Sequence, residues 1–204
     1  MRLLWPGRGS YVLGWLLRGG VSHSRYRLQM SRGVVLWPDP DTSASIRLIW
    51  DALADQGLPS LATMTHQLHR PHVSLIVADD LPVKPVLDAV GGVPRQSVAL
   101  EMENLGIFPQ GVLFLSCIVN RDLLSEHLRV GNIVHPFAVA PWPHYRPDHW
   151  VPHVSLGFPY TNEQLASALP IVLEHLPIRG ELDHGGVEDG TTGERWPSQG
   201  EVRG

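Results

Sequence analysis

The pentapeptide Pro-His-Val-Ser-Leu occurs twice in this chain, at residues 71–75 and again at 152–156, an offset of 81. At this composition an identical run of five recurs by accident on the order of once in a hundred such chains, so self-similarity is the first constraint on the fold. The surroundings repeat with it: apolar runs begin at Val34 and Val112, 38 and 41 residues ahead of the two histidines. Two copies of one supersecondary unit are therefore expected to share a core.

Each unit reads as strand, helix, strand, helix, strand. In the first, residues 34–37 form a short apolar strand closed by Pro38-Asp39-Pro40. Ile46, Ile49, Trp50 and Leu53 then fall at helical spacing, with N-cap candidates from Asp41 to Ser43 and a stop at Gly57. A strand over 72–78, a Pro-interrupted helix near 84–90 and a strand over about 97–107 complete it. The second unit predicts a strand over 112–119, a helix over 122–130, a Pro- and aromatic-rich loop, and a strand over 153–158. A helix follows over 162–175, with Leu165, Ala168, Leu169, Val172, Leu173 and Leu176 on one face and a capping box between Thr161 and Gln164. A strand over 178–188 and a hairpin strand near 194–196 end the pattern, with Gly185, Gly186 and Gly190 read as turn glycines.

The repeated strand carries the chemistry. Side chains alternate faces along a strand, so His72 projects with Ser74, and His153 with Ser155, while Val73, Leu75, Val154 and Leu156 turn into the core. Packed about a pseudo-twofold axis with these strands central, the units would floor a groove with two imidazoles and two hydroxyls. Opening a cyclic phosphate with water needs a base for the nucleophile and an acid for the departing ribose oxygen. Two imidazoles, titrating near ~6.5 when unperturbed, supply both near neutrality, and the hydroxyls can donate to the non-bridging oxygens. A histidine at a strand start can also serve only to satisfy a carbonyl, but packing alone gives no reason to keep the His and Ser twice.

At these residues the chain resembles the 2H phosphoesterase superfamily, whose paired His-x-Ser/Thr signatures the two pentapeptides match, and within it the 2′,5′ RNA ligase-like group. The resemblance covers about residues 31–197. It implies an α+β fold, a bilobal pseudo-twofold duplication in which two antiparallel sheets form a central groove and helices pack outside. The corresponding lobes are about 33–108 and 110–197 of one domain, residues 30–204. It also implies catalytic roles for His72 and His153 and phosphate contacts from Ser74 and Ser155, without metal or other cofactor. The implied reaction is hydrolysis of a 2′,3′-cyclic phosphate to a 2′-phosphate, or reversible 2′,5′ ligation at an RNA end. Both use the same acid and base. Serine at both positions departs from the threonine of many members, a chemically mild change. The alternative from another class is a module that binds nucleotides or RNA ends in the same groove without turnover.

Three more residues are candidate substrate contacts. Arg70, two before His72, would share its face as a phosphate clamp if the strand extends back, and Tyr145 and Arg146 lie in an aromatic and basic loop suited to a base and a phosphate. His66, His69 and His72 are spaced by three, but Pro71 interrupts the helix that a metal site of that spacing would need.

Charge narrows the partners. Residues 1–29 hold five arginines and no acid; they read as an extension upstream of a start at Met30, being too short and too broken by glycine for a signal or membrane segment. The remainder has 11 basic against 20 acidic residues, a poor surface for long nucleic acid but no obstacle to a small cyclic nucleotide or one RNA end. The lone Cys117, inside an apolar run, points to a reducing cytoplasm, and a monomer is the expected state.

Overall fold

The computed structural model describes residues 31–64 and 66–198, so the expected extension over 1–29 lies outside the described residues. The first half contains β1 (Arg32–Pro38), α1 (Pro40–Asp55), β2 (Val73–Asp80), α2 (Val83–Val90), β3 (Val98–Met102) and β4 (Asn104–Phe108). The second contains β5 (Val112–Ser116), α3 (Arg121–Val134), β6 (Val139–Pro141), β7 (His153–Gly157), α4 (Asn162–Leu173), β8 (Ile178–Asp189) and β9 (Arg195–Pro197). No described helix is long and apolar enough to cross a membrane.

Two antiparallel sheets result: β3-β8-β1-β2-β6, with β9 added to β8, and β4-β5-β7. The strand expected over 97–107 is interrupted at Glu103 because its halves serve different sheets, β3 pairing with β8 and β4 with β5. The second half does the same with the unbroken β8, which pairs with β3 through its first residues and with β1 through the rest. Each half thus gives its third strand to the other half's first strand. The β3–β8 ladder is centred on Leu100 opposite Gly180, residues 80 apart, and pairs Ala99 with Glu181 and Glu101 with Arg179. A twofold operation that exchanges residues about 80 apart maps this ladder onto itself, so the pseudo-axis passes through it. The sheets consequently draw strands from both sides of residue 109.

The helices are exchanged as well. α3, flanked by α2, backs β2, whereas α1, flanked by α4, packs against β7. The core between these layers is continuous, and takes in Ile46, Ile49 and Leu53 of α1, Leu75 of β2, Leu123 and Val130 of α3 and Leu156 of β7, all fully buried. Burial of each such aliphatic side chain contributes about 1.5–3 kcal/mol.

Helix ends follow local chemistry. α1 is capped by Asp39 rather than by residues 41–43: its carboxylate accepts from the Thr42 amide at 2.9 Å, and Pro40 fits the first turn, where no amide proton is needed. At α4 the capping box between Thr161 and Gln164 is present. α3 runs four residues beyond the expected 130, from an Asn120 cap. β5 stops at Ser116, short of the expected 119, because the Cys117 and Ile118 amides turn to Pro152 and Glu101 carbonyls. Gly185 and Gly186 are not turn residues. They lie inside β8, where a Cβ would stand 2.3 Å from the Val35 oxygen and 2.2 Å from the Trp196 oxygen, so they let β1 and β9 approach closely.

Candidate active site

His72 immediately precedes β2 and His153 begins β7, and the two strands pack against each other. Both motifs contain the same irregularity. Val35 faces Ser74 and Val34 faces Ile76, so Leu75 has no partner; Phe114 faces Ser155 and Leu113 faces Gly157, so Leu156 has none. The last residue of the repeated pentapeptide is therefore a β-bulge in each copy, buried in the core. A bulge bends its strand and re-aims the side chains beside it, a device frequent at active sites. Its recurrence explains why leucine is repeated along with His and Ser. β7 lies at the edge of its sheet and β2 one strand in from the edge of the other, rather than both being central.

The imidazoles are held identically. Nδ1 of His72 lies 2.9 Å from the Arg70 oxygen, and Nδ1 of His153 lies 2.8 Å from the Val151 oxygen. A carbonyl only accepts, so Nδ1 carries the proton in each ring and Nε2 is left to accept or give one. The serine carbonyls are fixed across the pseudo-axis: the indole of Trp50 in α1 donates to the Ser155 oxygen at 3.1 Å, and that of Trp150 donates to the Ser74 oxygen at 3.0 Å. Each motif is tied down by a tryptophan from the other half.

The surroundings of the two rings differ. Counting from the third-strand register, Glu188 of β8 and Phe108 of β4 occupy equivalent positions, 80 residues apart and on the groove face. The buried Glu188 carboxylate lies 3.6 Å from His72 Nδ1 and accepts from the Trp37 indole at 3.1 Å. Phe108 stacks on Phe114 with centroids 4.1 Å apart, and His153 meets the two rings edge-on at 4.8 and 5.3 Å. Gly106 makes room for this wall, since a Cβ there would stand 2.3 Å from the Phe114 ring. His153 is held below the ordinary histidine pKa, first by burial among these rings, with the charge of His72 acting in the same direction and the bond to Val151 opposing.

Of the remaining candidates, Tyr145 lies beside the Ser74 side chain, and burial pushes its phenol up to about 12, so it stays an O–H donor. Its carbonyl accepts from His127 Nε2 at 3.0 Å. His127, which carried no sequence signal, is buried beneath the loop and stacks on Trp150 with centroids 3.8 Å apart and planes 1° from parallel. One buried ring thereby supports both the residue that touches Ser74 and the residue that holds its carbonyl. Arg70 is exposed and lines a cavity beside His72. Arg146 is placed elsewhere, on a cavity of about 290 Å³ between α3 and the 141–147 loop. Among the described residues no three His, Cys, Asp or Glu side chains converge as metal ligands; His66 and His69 lie ring to ring at 4.2 Å.

This architecture is consistent with the 2H phosphoesterase fold, and a solved phosphoesterase shares it with a TM-score of 0.53 at 14% identity, over 83% of this chain and 94% of that one. The chain also aligns with Usb1 of Kluyveromyces marxianus, at TM-score 0.45 and 13% identity over 82% and 97% of the two chains. A second structure of that protein, with uridine monophosphate, aligns at TM-score 0.43 and 14% identity over 82% and 98%. No protein-family model matches the sequence, and no curated protein matches it.

Proposed function

We propose that this chain is a two-histidine phosphoesterase that opens a 2′,3′-cyclic phosphate, on a nucleotide or an RNA end, without a metal ion. One observation carries the reading: two imidazoles with Nδ1 anchored on carbonyls and Nε2 without a hydrogen-bond partner among the described residues, carried on equally bulged strands that pack against each other. In this mechanism one Nε2 takes the proton of water as its oxygen bonds to phosphorus. The P–O3′ bond breaks, and the other Nε2–H protonates O3′ to leave a 2′-phosphate. A ribose 5′-hydroxyl in place of water gives the 2′,5′ linkage. Ser74 and Ser155 donate to the non-bridging oxygens, and Tyr145 supports the first of them from the adjoining loop.

The unlike neighbours divide the roles. His153, lowered by burial in its aromatic corner, is the base; His72, whose Nδ1 lies 3.6 Å from the Glu188 carboxylate, is the acid. Turnover of a 2′,3′-cyclic nucleotide should persist in EDTA and give a bell-shaped pH profile, with His72→Ala and His153→Ala each reducing kcat by about 10²-fold or more. Loss of activity on chelation, or alanine variants as active as the parent, would overturn the proposal.

A further inference from the structure

Beside the first motif the chain gathers positive charge that the acid–base chemistry does not use. A cavity of about 210 Å³ opens between the start of α1 and the segment leading into β2, walled by Trp37, Ser43, Arg47, Arg70, Pro71 and His184. Ser43 and Arg47 are one helical turn apart and so face it together. Arg70 reaches it from the residue whose carbonyl anchors His72. A third guanidinium, Arg195 of β9, donates to the Leu68 oxygen at 2.8 Å and is close enough to Arg70 and Arg47 for their charges to act on it.

Among the described residues neither Arg47 nor Arg70 forms an ion pair; Asp51, one turn along from Arg47, makes none with it. Glu188 acts on Arg195 but is engaged by the Trp37 indole and lies against His72. Asp39 is spent on the α1 cap and the Glu181 amide, and Asp183 binds His184 at 2.5 Å. The two guanidiniums that line the cavity repel one another, and a bound anion relieves that repulsion. Planar guanidinium forks suit the oxygens of a phosphate. The volume, below the ~300 Å³ of a typical small-molecule pocket, fits a phosphate with part of a sugar rather than a whole nucleotide.

We propose that this cavity is a second phosphate site that takes the phosphodiester next to the reacting one, making the preferred substrate an oligoribonucleotide end rather than a free cyclic nucleotide. The proposal rests on the functional reading above, which puts the reacting phosphate between His72 and His153, one residue beyond the cavity wall at Pro71.

The test compares a cyclic mononucleotide with a dinucleotide that ends in the same 2′,3′-cyclic phosphate and so carries one more phosphodiester. Wild-type kcat/KM should favour the dinucleotide, and Arg47→Ala should lower the dinucleotide-to-mononucleotide ratio about tenfold through KM, with partial recovery in Arg47→Lys. The log–log dependence of dinucleotide KM on salt should be steeper than that of the mononucleotide by about 0.7, the increment for one single-strand phosphate. Equal loss on both substrates in Arg47→Ala, or no wild-type preference, overturns the proposal. So does a site that proves to hold inorganic phosphate with no advantage to the dinucleotide. If wild type turns over neither substrate, the functional reading falls instead. Equilibrium binding of the same two compounds to wild type and Arg47→Ala then decides the second site on its own: Arg47→Ala must weaken the dinucleotide selectively.

Discussion

The loop that carries Arg70 should loosen in mild acid, and His69 is the reason. Its ring packs against His66 and is held at a pKa of about 4, first by burial and then by the charges of His66, His72 and Arg195. An unfolded histidine titrates near ~6.5, so below that pH the unfolded chain binds a proton that the folded chain refuses. Stability from this residue is therefore complete above pH ~6.5 and is lost as the pH falls toward 4. At pH 5 the two values correspond to about 2 kcal/mol, and solvent at the open edge of the half-buried ring reduces this to between about 1 and 2 kcal/mol. The perturbation is His69→Gln, which cannot titrate. Urea unfolding at pH 7.5 and pH 5 gives the stability lost on acidification for each protein. The variant should lose about 1–2 kcal/mol less than the parent, with His127 and His153, also lowered by burial, contributing equally to both. Equal losses in parent and variant would refute the assignment.

Two further outcomes follow from the site. Trp50→Phe and Trp150→Phe each strip a serine carbonyl of its donor and should each cost about 1–3 kcal/mol in urea unfolding, with losses under about 0.5 kcal/mol counting against the cross-strap role. Because burial depresses the His153 pKa and a base works only when neutral, the acid limb of kcat/KM should have its midpoint below pH ~6.5. Phe108→Gln, which admits water to that corner, should move the midpoint upward; no movement would contradict the desolvation account.

How far the chain could be read in advance depended on whether a feature is local. The duplication, the two His-Ser pairs, the buried face of α1 and the Thr161–Gln164 box are written in spacing and side-chain type, and each needs only its neighbours to be recognised. Pairing partners are not written that way. Nothing near Glu103 announces that the strand divides there, because the cause is the choice between β8 and β5 across the molecule. The Asp39 cap lay hidden in what reads as a Pro-Asp-Pro turn. Glu188 and Phe108 had no motif of their own. Only alignment of the third strands of the two halves at an offset of 80, one less than the 81 of the pentapeptides, would have put them opposite the imidazoles. His127 was beyond reach in sequence, since its importance comes from stacking on Trp150 and from a carbonyl 18 residues away.

The exchange of third strands ties the fate of the two halves together. A polypeptide holding either half alone would present an unmatched edge at the pseudo-axis and a motif strand stripped of its covering helix. The simplest remedy is a second molecule of the same half, related by a twofold axis and paired antiparallel along the edge where Leu100 and Gly180 now meet. Such a homodimer would have two equivalent histidines in equivalent settings. Covalent linkage of unlike halves frees the two settings from that equivalence, and here one is acidic, with Glu188, and the other aromatic, with Phe108.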